Sequence, residues 1–246
     1  MMGSAGYTGI ARGGKAIYGA PLGILMLDAR FPRIPGDMGN GTTWPFPVLY
    51  RVVQGATPAK VVLEGARGLL PAFAAAAHDL VSLGAEGITT NCGFLSLFQA
   101  ELAGTLGVPV ATSAIMQVPW VQSMLPPGRR VGLLTACRRS LSAAHLAAAG
   151  APLDIPVAGT EGGREIFRVL VAAEKDELDL ALAEQDVLDA GRDLLARHPD
   201  VGAIVLECTN MPPYAAALRE QAGVPVYDIY SMITWFHAGL RPRAFA

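Results

Sequence analysis

Two cysteines occupy equivalent places in a repeated pattern of strand, cysteine and helix. Cys92 ends the segment 87–92 and Cys208 ends the segment 203–208. Each segment begins with apolar residues and has a polar residue directly before its cysteine. Each cysteine precedes by 17 residues the proline of a Gly-Val-Pro-Val sequence. A thiol has a reference pKa of ~8.5, close enough to neutrality for it to act as an acid or as a base. Two thiols facing each other could remove a proton from one side of a carbon atom and return one to the other side.

The spacing indicates an internal duplication. One offset of 116 residues superimposes both cysteines and both Gly-Val-Pro-Val sequences, and two such matches at one distance are unlikely to arise by chance. The first strands, 23–26 and 132–135, correspond at a slightly different offset. The same offset of 116 also pairs Phe98 with Tyr214, Leu102 with Leu218, and Met116 with Met232.

Apolar runs alternate with helical patterns along the chain, which favours parallel sheets with helices on both faces. We therefore predict an α/β fold of two pseudo-symmetric lobes, each a parallel sheet flanked by helices, with the active site in the cleft between them. The predicted parts are an N-terminal extension (1–20), a first lobe (21–127) and a second lobe (128–246) whose last helix could pack back on the first lobe. Predicted strands are 22–27, 87–91, 108–112, 130–135, 154–159, 203–207 and 224–229. Predicted helices are 58–83, 94–106, 113–124, one that follows residue 135 and runs through Ala149, 164–173, 177–197 (with Asp176 as N-cap), 212–221 and 230–239.

Both cysteines are predicted to lie at the carboxyl end of a strand, the edge where open α/β sheets bind ligands. A helix follows each of them, and its free N–H groups and dipole would favour a thiolate or hold a carboxylate. A proton α to a carboxylate is a weak acid, so the enediolate that forms must be stabilised. Four neighbours of the cysteines are predicted to do this and to bind substrate: Asn91, Gly93, Thr209 and Asn210.

Further substrate-binding candidates follow other strands. The proline-rich loop 28–47 is long for a compact domain, and such loops are often functional. Its Thr42 and Thr43 could contact an anion or could belong to a glycine turn. Asp28 and Arg30 stand at the edge of the first strand, where Arg30 could pair with a carboxylate or with a neighbouring acid. Thr160 has a similar place after a strand of the second half.

The non-catalytic alternative for any cysteine is that it is a buried, unreactive side chain that packs like a small apolar residue. Cys137 has no thiol counterpart in the first half, and we favour a structural role for it. The histidines show no metal-ligand spacing, so no metal site and no cofactor are predicted.

Composition narrows the classes of partner. The chain is 52% hydrophobic and 16% charged, with a formal net charge of −2 and no block of lysine and arginine. This disfavours a nucleic-acid partner. No apolar run approaches the roughly 18 residues that span a bilayer, and the start lacks the apolar core of a signal peptide. We expect a cytoplasmic protein with reduced thiols that forms a homo-oligomer, a dimer or larger.

The motifs 90–93 (TNCG) and 207–210 (ECTN) on duplicated lobes resemble the aspartate/glutamate racemase superfamily. The resemblance covers about residues 22–236. It implies cofactor-independent proton transfer with one cysteine from each lobe, and thus a racemase or epimerase acting on amino acids or related small carboxylates. Arylmalonate decarboxylases of this superfamily keep only the second-lobe cysteine, so the presence of Cys92 argues against that branch.

A second similarity is to the algal dimethylsulfoniopropionate lyase branch, whose reaction begins with the same α-proton abstraction and then expels a β leaving group. Asn91 departs from that pattern, because an acid is expected there. Trp44, Phe46 and Tyr50 could face a sulfonium cation or could simply pack the loop. Racemisation is the leading prediction, elimination by the same cysteines is the alternative, and a non-catalytic two-lobed binding protein is the third. The segments that carry this similarity are 27–28, 35–37, 50–53, 92–94, 98–99, 207–209 and 212–214.

Overall fold

The computed structural model describes residues 10–245, which form two lobes around two parallel sheets. Residues 1–9 of the predicted N-terminal extension and residue 246 lie outside the described residues. The rest of the extension runs beside the end of the second helix, where Ile17 N–H donates to the carbonyl of Leu83 at 2.8 Å. Within residues 10–245 we find no helix long and apolar enough to cross a membrane.

The first lobe is built on the strand order β2-β1-β3-β4. All six residues of its central strand are buried, as expected for an apolar run covered on both faces by other elements. Its elements are β1 (Leu22–Leu27), β2 (Val48–Val53), α1 (Pro58–Val62), α2 (Leu70–Leu83), β3 (Gly87–Thr90), a 3₁₀ helix (Gly93–Phe98), α3 (Gln99–Leu106), β4 (Val110–Ala111), a 3₁₀ helix (Ala114–Gln117) and α4 (Val118–Met124).

The second lobe repeats this plan in the order β6-β5-β7-β8. Its elements are β5 (Arg130–Thr135), a 3₁₀ helix (Arg138–Ser140), α5 (Ala143–Ala148), β6 (Val157–Gly159), α6 (Ile166–Leu170), α7 (Leu180–Arg197), β7 (Val201–Leu206), a 3₁₀ helix (Pro212–Tyr214), α8 (Ala215–Ala222), β8 (Val226–Tyr227) and α9 (Ile229–Leu240).

The predicted α/β class with two parallel sheets flanked by helices is confirmed. The duplication is also seen in the backbone conformation of equivalent turns in the two halves. Gly107 ends α3 and Gly223 ends α8, and both adopt the left-handed conformation with φ of 68°. Glycine is favoured at this position because a β-carbon would strain the turn. Each turn then leads through Val-Pro into the last strand of its sheet, so the two halves close in the same way.

The terminal helix of each lobe covers the sheet of the other lobe. Ile233 of α9 packs in a buried cluster with Ile24 of β1, in the first lobe. Val121 of α4 packs in a corresponding cluster with Leu133 of β5, in the second lobe. The lobes are thus held together by exchanged helices, and a third apolar cluster continues across both of them.

Several predicted boundaries were wrong. Strand β2 was assigned no structure because it is an edge strand, mostly exposed and lacking an apolar alternation. The predicted helix 58–83 is interrupted between α1 and α2, where Gly65 and Gly68 adopt positive φ. Helix α7 begins later than predicted, because Asp179 and not Asp176 accepts hydrogen bonds from the first free N–H groups. The strand predicted from 154 is shorter and begins at Val157.

Candidate active site

The two cysteines lie on one cleft between the lobes. Cys92 follows β3 and Cys208 follows β7, and each of these strands is flanked on both sides in its sheet. Both thiols are free and buried, with 9% and 8% of the residue exposed. The structure therefore brings together two thiols from opposite lobes, in a place from which most water is excluded.

Apolar side chains dominate the walls of this cleft. Its polar groups, besides the two thiols, come from the residues beside each cysteine. Within the described part of the chain no lysine, arginine or histidine lines it, and no group of three or more potential metal ligands occurs. The lining residues are Leu27, Phe31, Pro58, Val62, Asn91, Cys92, Gly93, Phe94, Ala136, Leu170, Val171, Glu207, Cys208, Thr209 and Asn210.

Glu207 is a buried carboxyl group in the cleft to which the sequence analysis gave no role. Only 1% of it is exposed, and the hydroxyl of Thr135 donates to its Oε2 at 2.6 Å. Burial raises the pKa of Glu207 to about 7, although Thr135 and the backbone N–H groups of Ala136, Gly93 and Phe94 favour the charged form. The available signal was its position before Cys208, where the first lobe has Asn91.

Burial raises the pKa of both thiols, which favours their neutral form. Burial, followed by the charge of Glu207, raises the pKa of Cys92, although N–H groups of Phe94 and Leu95 oppose this change. The pKa of Cys208 is raised by the same two causes and is opposed by the N–H of Asn210. This differs from the prediction that the helix starts favour a thiolate. The N–H groups are present, but the loss of hydration outweighs them.

Hydrogen bonds join the two cysteine segments across the cleft. The hydroxyl of Thr209 donates to the carbonyl of Asn91 at 2.5 Å. The side-chain oxygen of Asn91 accepts from the N–H of Leu27 at 2.7 Å, which ties it to the end of β1. These bonds fix the backbone beside both thiols and leave the amide nitrogen of Asn91 as a donor for a bound group.

The long loop after β1 clamps the segment that follows Cys208. Asp37 is buried and accepts from Arg33 Nη1 at 2.9 Å, and its second oxygen accepts from the side-chain amide of Asn210. Asn210 in turn accepts from the Cys208 thiol at 3.6 Å. The loop thus contacts the second-lobe cysteine through the side-chain amide of Asn210. This role of Arg33 and Asp37 is not predicted from the sequence.

Other predicted substrate-binding residues lie away from the cleft lining. Asp28 accepts from the N–H of Gly55 at 3.1 Å and lies 3.6 Å from the guanidinium of Arg30, whose side chain is 85% exposed. Thr42 and Thr43 form hydrogen bonds within their own loop. Thr160 is buried and its hydroxyl donates to the carbonyl of Ala136 at 3.4 Å, so it supports a cleft residue without lining the cleft.

Cys137 is also buried outside the cleft lining. Its sulfur lies 3.3 Å from the hydroxyl of Ser140, within the short helix that follows β5. Its structural role stays a prediction.

Gly93 is a position where the two lobes approach each other closely. A β-carbon there would meet a carboxylate oxygen of Glu207 and would lie 2.6 Å from its backbone oxygen. Because backbone cannot move aside cheaply, we expect Gly93→Ala to destabilise the protein by about 1–3 kcal/mol, as overpacking does. Urea unfolding measures this effect.

A matched control is Gly104→Ala, within α3, where an added β-carbon meets nothing within 4 Å. This variant should stabilise the protein by roughly 0.5–1 kcal/mol, because alanine is the better helix former. Equal effects from the two variants would contradict the close approach at Gly93.

Residues 115–236 match the family model described as Asp/Glu/Hydantoin racemase. The chain is 28% identical to a dimethylsulfoniopropionate lyase of Durusdinium sp. clade D, over 89% of this chain and 75% of that protein. It is 28% identical to dimethylsulfoniopropionate lyase 5 of Emiliania huxleyi, over 88% of this chain but only 45% of that longer protein. The family resemblance predicted from the cysteine motifs is confirmed.

Solved structures share the fold across both lobes. A mutant of arylmalonate decarboxylase superposes with a TM-score of 0.60 at 18% identity, covering 89% of this chain and 93% of that one. Allantoin racemase from Klebsiella pneumoniae superposes with a TM-score of 0.59 at 19% identity, covering 89% and 87%. At these identities the likeness establishes the two-lobed architecture.

Proposed function

We propose that this chain is an enzyme that removes the proton α to a small carboxylate with a cysteine pair, a proposal supported by the match of residues 115–236 to the Asp/Glu/Hydantoin racemase model. Cys92 and Cys208 are the proton-transferring groups. The observation that carries the proposal is their burial on one cleft, each at the end of a strand from a different lobe. Among the described residues that line this cleft, the two thiols are the only pair of like titratable groups with one member from each lobe.

The proposed reaction begins when one cysteine, as a thiolate, takes the α-proton and becomes a thiol. Negative charge then develops on the substrate carboxylate, and fixed donors in a water-poor cleft stabilise it better than water can. We assign this role to the amide nitrogen of Asn91. This assignment is supported by the position of Asn91 on the cleft and by the bond from Leu27 to its side-chain oxygen, which leaves the nitrogen as a donor. The opposite cysteine faces the other side of the reacting carbon.

The cleft lining suits a substrate with one carboxylate and no second anionic group. An additional carboxylate in this cleft would have no basic side chain to pair with among the described lining residues and would meet Glu207. A soft cation such as a sulfonium fits better, because it is attracted to the carboxylate of Glu207. We therefore propose elimination of a β leaving group as the reaction, the class named for the curated relatives.

Racemisation is the second candidate, and the pseudo-symmetry of the site favours it. Two like acid/base groups on opposite sides of one carbon can exchange a proton in either direction. The family model and the allantoin racemase likeness agree with this reaction class. Cys208 would then return a proton to the face opposite the one that Cys92 deprotonates.

Incubation with dimethylsulfoniopropionate, and separately with a panel of chiral α-substituted carboxylates in heavy water, distinguishes these candidates. We expect dimethyl sulfide and acrylate from the first substrate. Deuterium at the α-carbon together with loss of optical activity in the panel would instead assign a racemase. Neither product nor exchange with any substrate would overturn the proposed function.

Self-association stays a prediction. Trp120 and Trp235 are 51% and 59% exposed, and their rings approach to 5.3 Å between centroids. This paired aromatic surface is the part of the described chain that we propose a second copy would cover.

A further inference from the structure

The carboxyl group of Glu207 crosses from its own lobe to the helix start of the other lobe. It follows β7, but it lies against Gly93, where an added β-carbon would meet its Oε1, and the N–H groups of Gly93 and Phe94 oppose the rise in its pKa that burial causes. These two residues directly follow Cys92. The space for the carboxylate exists only because residue 93 lacks a β-carbon. Glu207 is therefore a partner of the first-lobe cysteine as well as the neighbour of Cys208.

Glu207 and Cys92 share the influence of one N–H group, that of Phe94. Burial raises the pKa of both groups; the N–H groups of Phe94 and Leu95 oppose this rise for Cys92, and those of Gly93 and Phe94 oppose it for Glu207. A short helix start buried in a low-dielectric cleft stabilises one negative charge far better than two. The charge therefore resides on one of these groups at a time.

The internal duplication shows that a carboxyl group precedes the cysteine in only one of the two halves. The counterpart of Glu207 at the offset of 116 is Asn91, and its amide cannot accept a proton at neutral pH. Asn91 is tied to β1 through Leu27, as Glu207 is tied to β5 through Thr135. Equivalent scaffolding thus holds a neutral group beside one cysteine and a titratable group beside the other.

We propose that Glu207 is the resting holder of the negative charge in the cleft and the proton acceptor that converts Cys92 into the thiolate. The step moves one proton from the sulfur of Cys92 to a carboxylate oxygen of Glu207, so the net charge of the cleft is unchanged. The thiolate then takes the substrate proton, which regenerates the thiol. The catalytic role of this exchange rests on the proposed function, but the proton transfer between Cys92 and Glu207 requires no substrate.

The surroundings assign the thiolate to Cys92 and leave Cys208 protonated. Arg33, from the long loop, brings a positive charge toward Cys92. Asp37, from the same loop, brings a negative charge toward Cys208 and toward Tyr214 of the following short helix. Cys92 is thus the base, and Cys208 is the acid that can assist a leaving group or return a proton.

The rate at which iodoacetamide alkylates Cys92, measured across a pH series, tests this exchange. The Cys208→Ser background leaves one thiol in the cleft, and peptide mapping by mass spectrometry separates it from Cys137. Since only the thiolate reacts, the rate reports its population. With Glu207 present the rate should level off above about pH 7, where the pKa of Glu207 lies, because each thiolate formed requires Glu207 to take up the proton.

Glu207→Gln in the same background should remove this plateau. The amide keeps the size and an acceptor oxygen but holds no charge, so the rate should continue to rise about tenfold per pH unit and exceed the parent roughly tenfold near pH ~8. Parallel curves for the two proteins would overturn the inference. A substrate panel without any reaction would contradict the proposed function and leave this comparison unaffected.

A second variant keeps the test valid if the glutamine protein does not fold. Thr135→Val removes the hydroxyl that donates to Glu207, so the plateau should move to higher pH. Glu165→Gln is the matched control, because this buried carboxyl pairs with Lys175 at 2.6 Å and does not line the cleft. Its alkylation curve should level off where that of the parent does. An unshifted plateau in Thr135→Val would also overturn the inference.

Discussion

Cys92→Ser and Cys208→Ser are each expected to lower turnover by roughly 10²–10⁴-fold, the usual contribution of a positioned acid or base. Serine preserves the size of the side chain, but its hydroxyl is a far weaker acid than a thiol. Both cysteines are buried on the cleft, so water cannot easily take over their role. Steady-state rates with the substrate identified by product analysis measure the effect.

Cys137→Ser is the control for loss of a buried thiol as such. Its sulfur contacts Ser140 and lies outside the cleft lining, so turnover should stay within a few-fold of the parent. If the Cys92 variant retained turnover comparable with that control, the paired mechanism would be wrong. Isotope exchange separates the two roles further, because the variant that lacks the base should lose α-proton exchange while the other keeps part of it.

Asp37→Ala is expected to lower the free energy of unfolding by about 3–5 kcal/mol, the cost of removing one partner from a buried ion pair. Asp37 is 3% exposed, and the side chain of its partner Arg33 is 14% exposed. The substitution leaves the guanidinium without its carboxylate and frees Asn210 beside Cys208. Urea unfolding monitored by circular dichroism gives the free energy.

The matched control is Asp79→Ala, which removes a 2.8 Å ion pair with Arg51 whose two side chains are both 54% exposed. Exposed pairs contribute about 0–1 kcal/mol, so this variant should remain close to the parent. The double variant Arg33→Met, Asp37→Leu should recover part of the lost stability, because no buried charge is left unpaired. A small effect of Asp37→Ala alone would show that water reaches the guanidinium.

The fold was predictable where the sequence repeats itself. The offset that relates Cys92 to Cys208 located both central strands and the helices after them, since apolar runs and glycine turns recur at fixed distances. Strand β2 was not predictable, because an exposed edge strand has no apolar alternation and is defined by its pairing with β1. A pattern of apolar residues in the sequence reveals a strand by its buried side chains, and few side chains of β2 are buried.

The candidate site was predictable in its reacting groups and less so in what surrounds them. A thiol at the end of a predicted strand could be recognised from spacing alone. The role of Glu207 could not, because its partners Gly93 and Phe94 lie in the other lobe and more than 100 residues away in the chain. The Arg33–Asp37 pair was equally hidden, since its meaning depends on the loop reaching Asn210. The sequence shows that Glu207, Arg33 and Asp37 are charged residues, but it does not show that Glu207 and Asp37 are buried.

The exchanged helices α4 and α9 have a consequence for how such a chain could arise. A single ancestral lobe would carry a terminal helix with no sheet of its own to cover, and a sheet with one face exposed to water. Two copies would resolve both problems by trading helices, as domain-swapped homodimers do. Joining the copies end to end would give this architecture and place one thiol from each copy on the shared cleft. Once fused, each copy could mutate independently, so a carboxyl group could come to stand beside one cysteine and an amide beside the other.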